Sequence, residues 1–132
     1  MLTLRIYYED TDFSGFVYHA RYLNFFERAR TEALRGLGID QRALFETEGG
    51  PFAFVVRHME IDFKSPARMD DLVEVETGIT RIGGASLVMR QVLRREGMVL
   101  AQADVTIAFL AAGRPARMPR SMRDALDKLT KG

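Results

Sequence analysis

Apolar residues recur along this chain with two periods, and the point where one gives way to the other divides it. Leu2, Leu4, Ile6 and Tyr8 alternate with Thr3, Arg5 and Tyr7, so residues 2 to 8 are expected to form a strand running into an acidic turn at Glu9 to Gly15. From about His19 to Arg35 the spacing lengthens. Tyr22, Phe25, Phe26, Ala29, Ala33 and Leu34 recur every third or fourth position, with Arg21, Asn24, Arg28, Glu32 and Arg35 on the other side. That is the stripe of an amphipathic helix of about four to five turns. Gly36 and Gly38 suit its C-terminal cap, and Arg28 with Glu32 offers an ion pair one turn apart. A short helix around Gln41 to Thr47 and a break at Gly49 to Pro51 follow.

Beyond the break the period is two. Within Phe52 to Lys64, the residues Met59, Ile61 and Phe63 share one face and His58, Glu60, Asp62 and Lys64 the other, before "SPARMDD" turns the chain. Leu72 to Ile82 sets Val73, Val75, Thr77 and Ile79 on one face, and Gly83 with Gly84 makes a hairpin turn. Leu87, Met89, Gln91 and Leu93 alternate with Val88, Arg90, Val92 and Arg94 in the next strand, "REG" turns again, and Val99 to Phe109 supply a long last strand. Arg120 to Leu129, after Pro119, reads as a short amphipathic helix. Consecutive hairpins imply an antiparallel sheet, and a helix with one apolar stripe must bury it there. The expected class is α+β, with five antiparallel strands and one long helix. One helix covers only one face, so a second copy of the chain is expected over apolar area left on the other. Tyr7 and Tyr8 are expected to pack in or beside the first strand.

Composition narrows the picture without changing it. At 132 residues, with no repeat, linker or low-complexity tract, residues 1–132 read as a single domain. A formal net charge of +1 gives no electrostatic reason to expect nucleic acid. The absence of cysteine excludes a thiol nucleophile, a disulfide framework and a cysteine-based zinc site, and is compatible with a reducing compartment. The longest largely apolar run, Val105 to Ala112, is far short of a membrane span, and "MLTLRIYYED" lacks the layout of a signal peptide. The expected location is the cytoplasm.

Chemistry concentrates in "YYEDTDFSGFVYHARYLNFFERARTE", residues 7 to 32, where Asp10, Asp12, Ser14 and His19 precede the long helix. Four readings stay open. Asp, Ser and Gly are ordinary turn formers, so Asp12 can be a loop residue only. Ser14, His19 and Asp12 are the residue types of a nucleophilic triad, although the G-x-S-x-G elbow is absent. "DTDFS" resembles locally the Asp-x-Asp start of a phosphatase, and a metal site from Asp10, Asp12 and His19 is conceivable but short of ligands. Finally, Phe16, Val17 and Tyr18 supply no side-chain cap, which leaves the first amides of the helix open to an anion or a developing oxyanion, with Asp12 across from them.

"RIYYEDTDFSGFVYHARYLNFFERARTEALRGLG", together with "FVVRHMEIDFKSPARMDDLVEVET" and "TRIGGASLVMRQ", closely resembles the YbgC-like acyl-CoA thioesterases, in the 4-hydroxybenzoyl-CoA thioesterase branch of the hotdog superfamily. The resemblance covers most of the chain, and its most specific part is D-x-D-x-x-G-x-V-Y-H. It implies a hotdog fold, in which a five-stranded antiparallel sheet wraps one long helix, and a homotetramer built as a dimer of dimers. It implies hydrolysis of acyl-CoA to a free acid and CoA, with no cofactor and no metal. A binding module for acyl-CoA or acyl carrier protein is the non-catalytic rival. The family's association with the Tol-Pal envelope system suggests at most peripheral membrane contact.

Carried over by position, Asp12 falls on the catalytic carboxylate, as nucleophile or general base, and His19 on the histidine at the start of the helix. The backbone N–H of His19, with that of Tyr18, would polarise the carbonyl, and Gly15 belongs with them in the oxyanion and substrate-binding group. Asp10 is expected to shape the loop. Candidate cations for the CoA phosphates are Lys64, Arg68, Arg81, Arg90 and Arg94, some of them contributed by a partner chain, and Ser86 sits in the loop expected to approach the nucleotide. His58 is expected to be an ordinary surface or interface histidine.

Overall fold

The N-terminal alternation gives β1, Leu2–Arg5, a shorter strand than the spacing predicts. The structure, a computed structural model, describes residues 1 to 46 and 51 to 130. Ile6 still donates to the carbonyl of Asp71 at 2.9 Å, but the Asp10 carboxylate then captures the N–H of Tyr7, also at 2.9 Å, and closes a 3-10 turn over Tyr8–Asp10. The chain therefore leaves the sheet two residues early. Tyr7 and Tyr8 do not pack beside the strand; they are 60% and 81% exposed.

Helix α1, Arg21–Gly36, buries Tyr22, Phe25, Phe26, Ala29 and Leu34 along one stripe, together with Arg30. It ends at Gly38, whose φ of +81° only glycine adopts without strain. Gly38 donates to Arg35 at 2.9 Å and Ile39 to Leu34 at 3.0 Å, which satisfies two of the last carbonyls. Glu32 pairs with Arg35 rather than with Arg28. Asp40 then caps α2, Gln41–Glu46, by accepting the N–H of Arg42 at 3.0 Å. The expected end of that helix at Thr47 and the break at Gly49 and Gly50 lie outside the described residues.

Four long strands follow: β2, Phe52–Phe63; β3, Leu72–Ile82; β4, Ser86–Arg95; and β5, Met98–Ala111. A two-residue β6, Arg114–Pro115, adds to β5, and α3, Arg120–Asp127, follows. The order across the sheet is β1-β3-β4-β5-β2, every pair antiparallel. Glu96 and Gly97, both at positive φ, form the tight turn between β4 and β5 that matches strand twist. Phe25 and Phe26 of the helix share one core with Leu87, Met89, Leu93, Val105 and Phe109 of the sheet. Each such side chain contributes roughly 1.5–3 kcal/mol by burial, enough together to fix the helix on the sheet.

Two features differ from the sequence pattern. The outward face of the sheet is not an apolar area awaiting cover: it carries Glu74, Glu76, Arg90, Arg94 and Asp104, with cross-strand pairs Arg90–Asp104 at 3.0 Å and Arg94–Glu76 at 3.2 Å. The longer of the two sheet edges is β2, a 12-residue strand paired, among the described residues, with β5 on one side only. Second, the β2 register slips at Arg57, where Val56 pairs with Ile107 and His58 with Thr106. The bulge shifts the side-chain alternation by one residue, so Phe52 and Phe54 pack on the core before it, and Met59 and Ile61 after it.

Candidate active site

The loop from Ile6 to Ala20 is fastened at several points to the end of the sheet where β3 begins. Asp70 donates to Ile6 at 2.8 Å and Val17 to Ala67 at 2.9 Å, while the Arg68 guanidinium lies 5.2 Å from the centre of the Phe16 ring. Asp10 is the central fastening. Its carboxylate is buried, accepts from Tyr7 N–H and receives Nε and Nη2 of Arg21 at 3.0 and 2.7 Å. Its backbone carbonyl takes the N–H of Tyr18 at 2.9 Å. One residue thus ties strand end, loop and helix start together, and the guanidinium offsets the cost of burying its charge.

Two residues on, Asp12 is the opposite case. Its carboxylate stands at the surface, where Oδ1 accepts the Ser14 N–H at 2.8 Å and the Ser14 hydroxyl at 2.5 Å. These two donors, with a smaller contribution from His19, hold the Asp12 carboxyl below its usual pKa, so it is a carboxylate at neutral pH. Gly15, at φ +86°, closes the turn by donating to the carbonyl of Asp12 at 3.1 Å.

The start of α1 has no side-chain cap. The N–H groups of Arg21, Tyr22 and Leu23 fold back onto the carbonyls of Tyr18, His19 and Ala20 at 2.8, 3.3 and 3.2 Å. Among the described residues, the N–H groups of His19 and Ala20 have no acceptor in the protein. This narrows the expected set of donors. The amides of Tyr18 and Gly15 are already engaged, by Asp10 and Asp12, and Ala20, which sequence reasoning did not single out, takes their place.

Asp12, Ser14 and His19 line one depression of about 330 Å³ with Phe16, Val17, Tyr22, Phe63, Lys64, Ser65 and Pro66. Tyr22 is fixed by accepting the Ala67 N–H at 3.0 Å, and its ring lies 5.3 Å from that of Phe63. The His19 ring sits between Tyr18 and Phe63, with centroids at 4.6 and 6.4 Å. A carboxylate, His19 with its free amide and an aromatic wall therefore meet around one opening, and the second free amide belongs to the next residue, Ala20. The triad reading loses its geometry, because the Ser14 hydroxyl is bound to Asp12 and donates nothing to His19. The metal reading loses Asp10 to Arg21. Among the described residues, no group of three or more His, Asp or Glu converges to hold an ion.

Of the expected cations, only Lys64 lines this depression. Arg90 and Arg94 lie on the outer face of the sheet in ion pairs. Arg81 and Ser86 flank the β3–β4 turn, where Ile82 pairs with Leu87; this is the end of the sheet away from the loop, since β1 enters it where Arg5 meets Leu72. A single chain does not gather them. The sequence pattern also passed over Arg114, Arg117 and Arg120, exposed residues three apart in the stretch that returns to the β3–β4 turn, where Met118 donates to Gly84 at 2.9 Å. Their regular spacing was the available signal. His58 is exposed, 3.4 Å from Glu60.

An antiparallel sheet curled around a single long helix is the hotdog fold, and a surface carboxylate beside open amides at a helix start is a hydrolytic arrangement. Residues 14–102 match the thioesterase superfamily, and the chain belongs to that family. It is 44% identical over 128 residues to the acyl-CoA thioesterase YbgC of Haemophilus influenzae, covering 96% of this chain and 93% of the relative. It is 43% identical over 122 residues to the acyl-CoA thioester hydrolase YbgC of Escherichia coli O157:H7, covering 90% and 89%. Among solved structures, a probable thioesterase from Bartonella henselae superposes with a TM-score of 0.86 at 47% identity, over 89% of this chain and 97% of that one.

Proposed function

We propose that this thioesterase hydrolyses acyl-CoA. The observation that carries the reading is that the ionised Asp12 shares one depression with His19, whose backbone amide and that of the next residue, Ala20, are unengaged. The thioester carbonyl oxygen accepts from the two N–H groups, which grow in strength as negative charge develops on it. Either the Asp12 carboxylate attacks the carbonyl carbon, giving on loss of the thiolate a mixed anhydride that water then hydrolyses, or it takes a proton from the water that attacks. The C–S bond breaks, CoA leaves as a thiolate and is protonated, and the oxygen of water ends in the free carboxylic acid. A thiolate with an ordinary pKa near ~8.5 needs no strong general acid to leave. The chemistry asks for no cofactor and no metal ion. His19 orients water or the acyl group through its ring.

The working unit in this reading is a homo-oligomer. The free edge of β2 suits antiparallel pairing with a second copy, and such pairs assemble again into a tetramer. The pairing would bring the β3–β4 turn of a partner towards the loop, so the phosphates of CoA are assigned to Lys64 of one chain and to Arg81 and its neighbours from another. The acyl donor is CoA-linked, with an acyl carrier protein thioester as the nearest variant. The proposed setting is the cytoplasm, with at most peripheral membrane contact. Release of thiol from acyl-CoA thioesters of increasing chain length, followed with a chromogenic thiol reagent in EDTA, tests the activity; the protein itself has no thiol to interfere. Absence of turnover on every chain length overturns it, as a monomer by light scattering at micromolar concentration overturns the assembly.

A further inference from the structure

α1 packs on β1 and β3 and the short α2 on β2, and the inward residues of the edge strand β2 stay only partly buried. From Phe63, beside His19 and Tyr22, the apolar row continues through Ile61 and Met59 and, past the bulge, to Val56 and Phe54. The row starts at the depression that holds Asp12. It ends at a second cavity, of about 200 Å³, where Val56 and Phe54 face Arg30, Thr31, Glu27 and Gln41.

Arg30 is only 9% exposed, an uncommon state for a guanidinium. Nη1 donates to Oε1 of Gln91 at 3.1 Å, and Gln91 is spent in turn on the Phe26 carbonyl at 2.9 Å and the Thr77 hydroxyl at 3.0 Å. Among the described residues no carboxylate lies within ion-pair distance of Arg30; Glu27 lines the same cavity without reaching it. Among the described residues no fully enclosed side-chain nitrogen lacks a partner, and Arg30 lines this cavity, so its remaining guanidinium N–H groups face that opening. A buried cation with spare donors and no close counter-ion is matched by a ligand with two acceptor oxygens.

We infer that this cavity receives the distal carboxylate of an acyl group whose other end, the thioester, lies at Asp12 and His19. The inference rests on the proposed thioesterase reading and adds the substrate class: acyl groups of dicarboxylic acids. The geometry sets a length. Ala20 and Arg30 are ten residues apart, about 15 Å along the helix. Helical side chains lean towards the N-terminus, which brings the guanidinium back to roughly 10 Å from the free amides; a hydrogen bond of about 3 Å at each end leaves room for a diacid of about four or five carbons. The apolar row suits the methylenes between the two ends.

The test compares the CoA thioesters of pentanoic and pentanedioic acid, equal in length and different only at the far end. The parent is expected to favour the diacid thioester in kcat/KM by about 10- to 100-fold, the range of a charged hydrogen-bonded pair. Arg30→Met is expected to erase that ratio and Arg30→Lys to keep part of it. A parent ratio at or below one overturns the inference, and so does a ratio left unchanged in Arg30→Met, since a merely structural arginine lowers both substrates alike. Should Arg30→Met fail to fold by circular dichroism, the parent ratio and Arg30→Lys decide. Titration calorimetry of both thioesters against Asp12→Asn separates the two claims. Preferential binding of the diacid thioester without turnover in the parent sinks hydrolysis and keeps the pocket, whereas turnover of both without preference does the reverse.

Discussion

At the start of α1 the Asp12 carboxylate stands in solvent, held by its neighbour Ser14, whereas about three turns further along the same helix Arg30 is buried and held by a glutamine from the middle of the sheet. Both place charge beside an apolar core, and they differ in who completes the hydrogen bonding. At the open end, water supplies what the loop does not, so Asp12 costs the fold little. At the closed end Gln91, itself fully buried, must satisfy Arg30, Phe26 and Thr77 together, and only the far side of the guanidinium opens to a cavity. Chemistry is therefore separable from stability at one end and tied to it at the other. Asp10 lies between the two cases, buried like Arg30 yet part of the loop that presents Asp12.

Substitutions turn that contrast into measurements. Asp12→Asn removes the charge and keeps the shape. We expect thiol release to fall by about 10³-fold with an unchanged urea midpoint, the magnitude of losing a positioned acid–base or nucleophilic group. A variant as active as the parent would sink the mechanism, and one that unfolds would sink the contrast. Gln91→Leu reverses the signature. It strands Nη1 of Arg30, and a loss of about 2–4 kcal/mol is expected in urea unfolding. Asp10→Asn is expected to cost less, about 1–3 kcal/mol, because Arg21 is partly solvated and can turn to water. It should also lower turnover, since the same side chain fixes the loop. If it changes stability alone, the loop does not depend on that fastening.

The same contrast explains what could be seen in the sequence. The strand pattern, the long helix and its glycine cap, both hairpins and the Asp12–His19 loop are local, each set by residues within a few positions of one another, so spacing reveals them. The antiparallel sheet follows from hairpins in succession. What stayed hidden depends on partners far along the chain. The early end of β1 is decided by Asp10 reaching back to Tyr7, and the slip at Arg57 by the match between two long strands. Val56 joins the inward side only because of that slip. Arg30 looks like one more charge on an amphipathic helix until Gln91, 61 residues later, is found against it. The resemblance supplied the role proposed for Asp12. It could not show that the amides of Tyr18 and Gly15 are already engaged, which needed the loop's own hydrogen bonds.

The smallest expected effect is the most diagnostic of how Asp12 is tuned. Ser14 gives Asp12 two donors, the hydroxyl being the larger cause of its lowered pKa, and both favour the charged carboxylate. Removing the hydroxyl in Ser14→Ala leaves the backbone N–H in place and weakens the preference for the charged form. The pKa therefore moves back up towards the ordinary range of an aspartate. Activity that depends on ionised Asp12 is lost as pH falls through that pKa, so the acid limb of kcat/KM should move to higher pH in Ser14→Ala. At neutral pH the carboxylate stays ionised in both proteins. A less stabilised carboxylate is a stronger base, so turnover there should hold or rise slightly while the acid limb shifts. A profile that drops equally at every pH would assign Ser14 to the shape of the loop and leave Asp12 untuned by it.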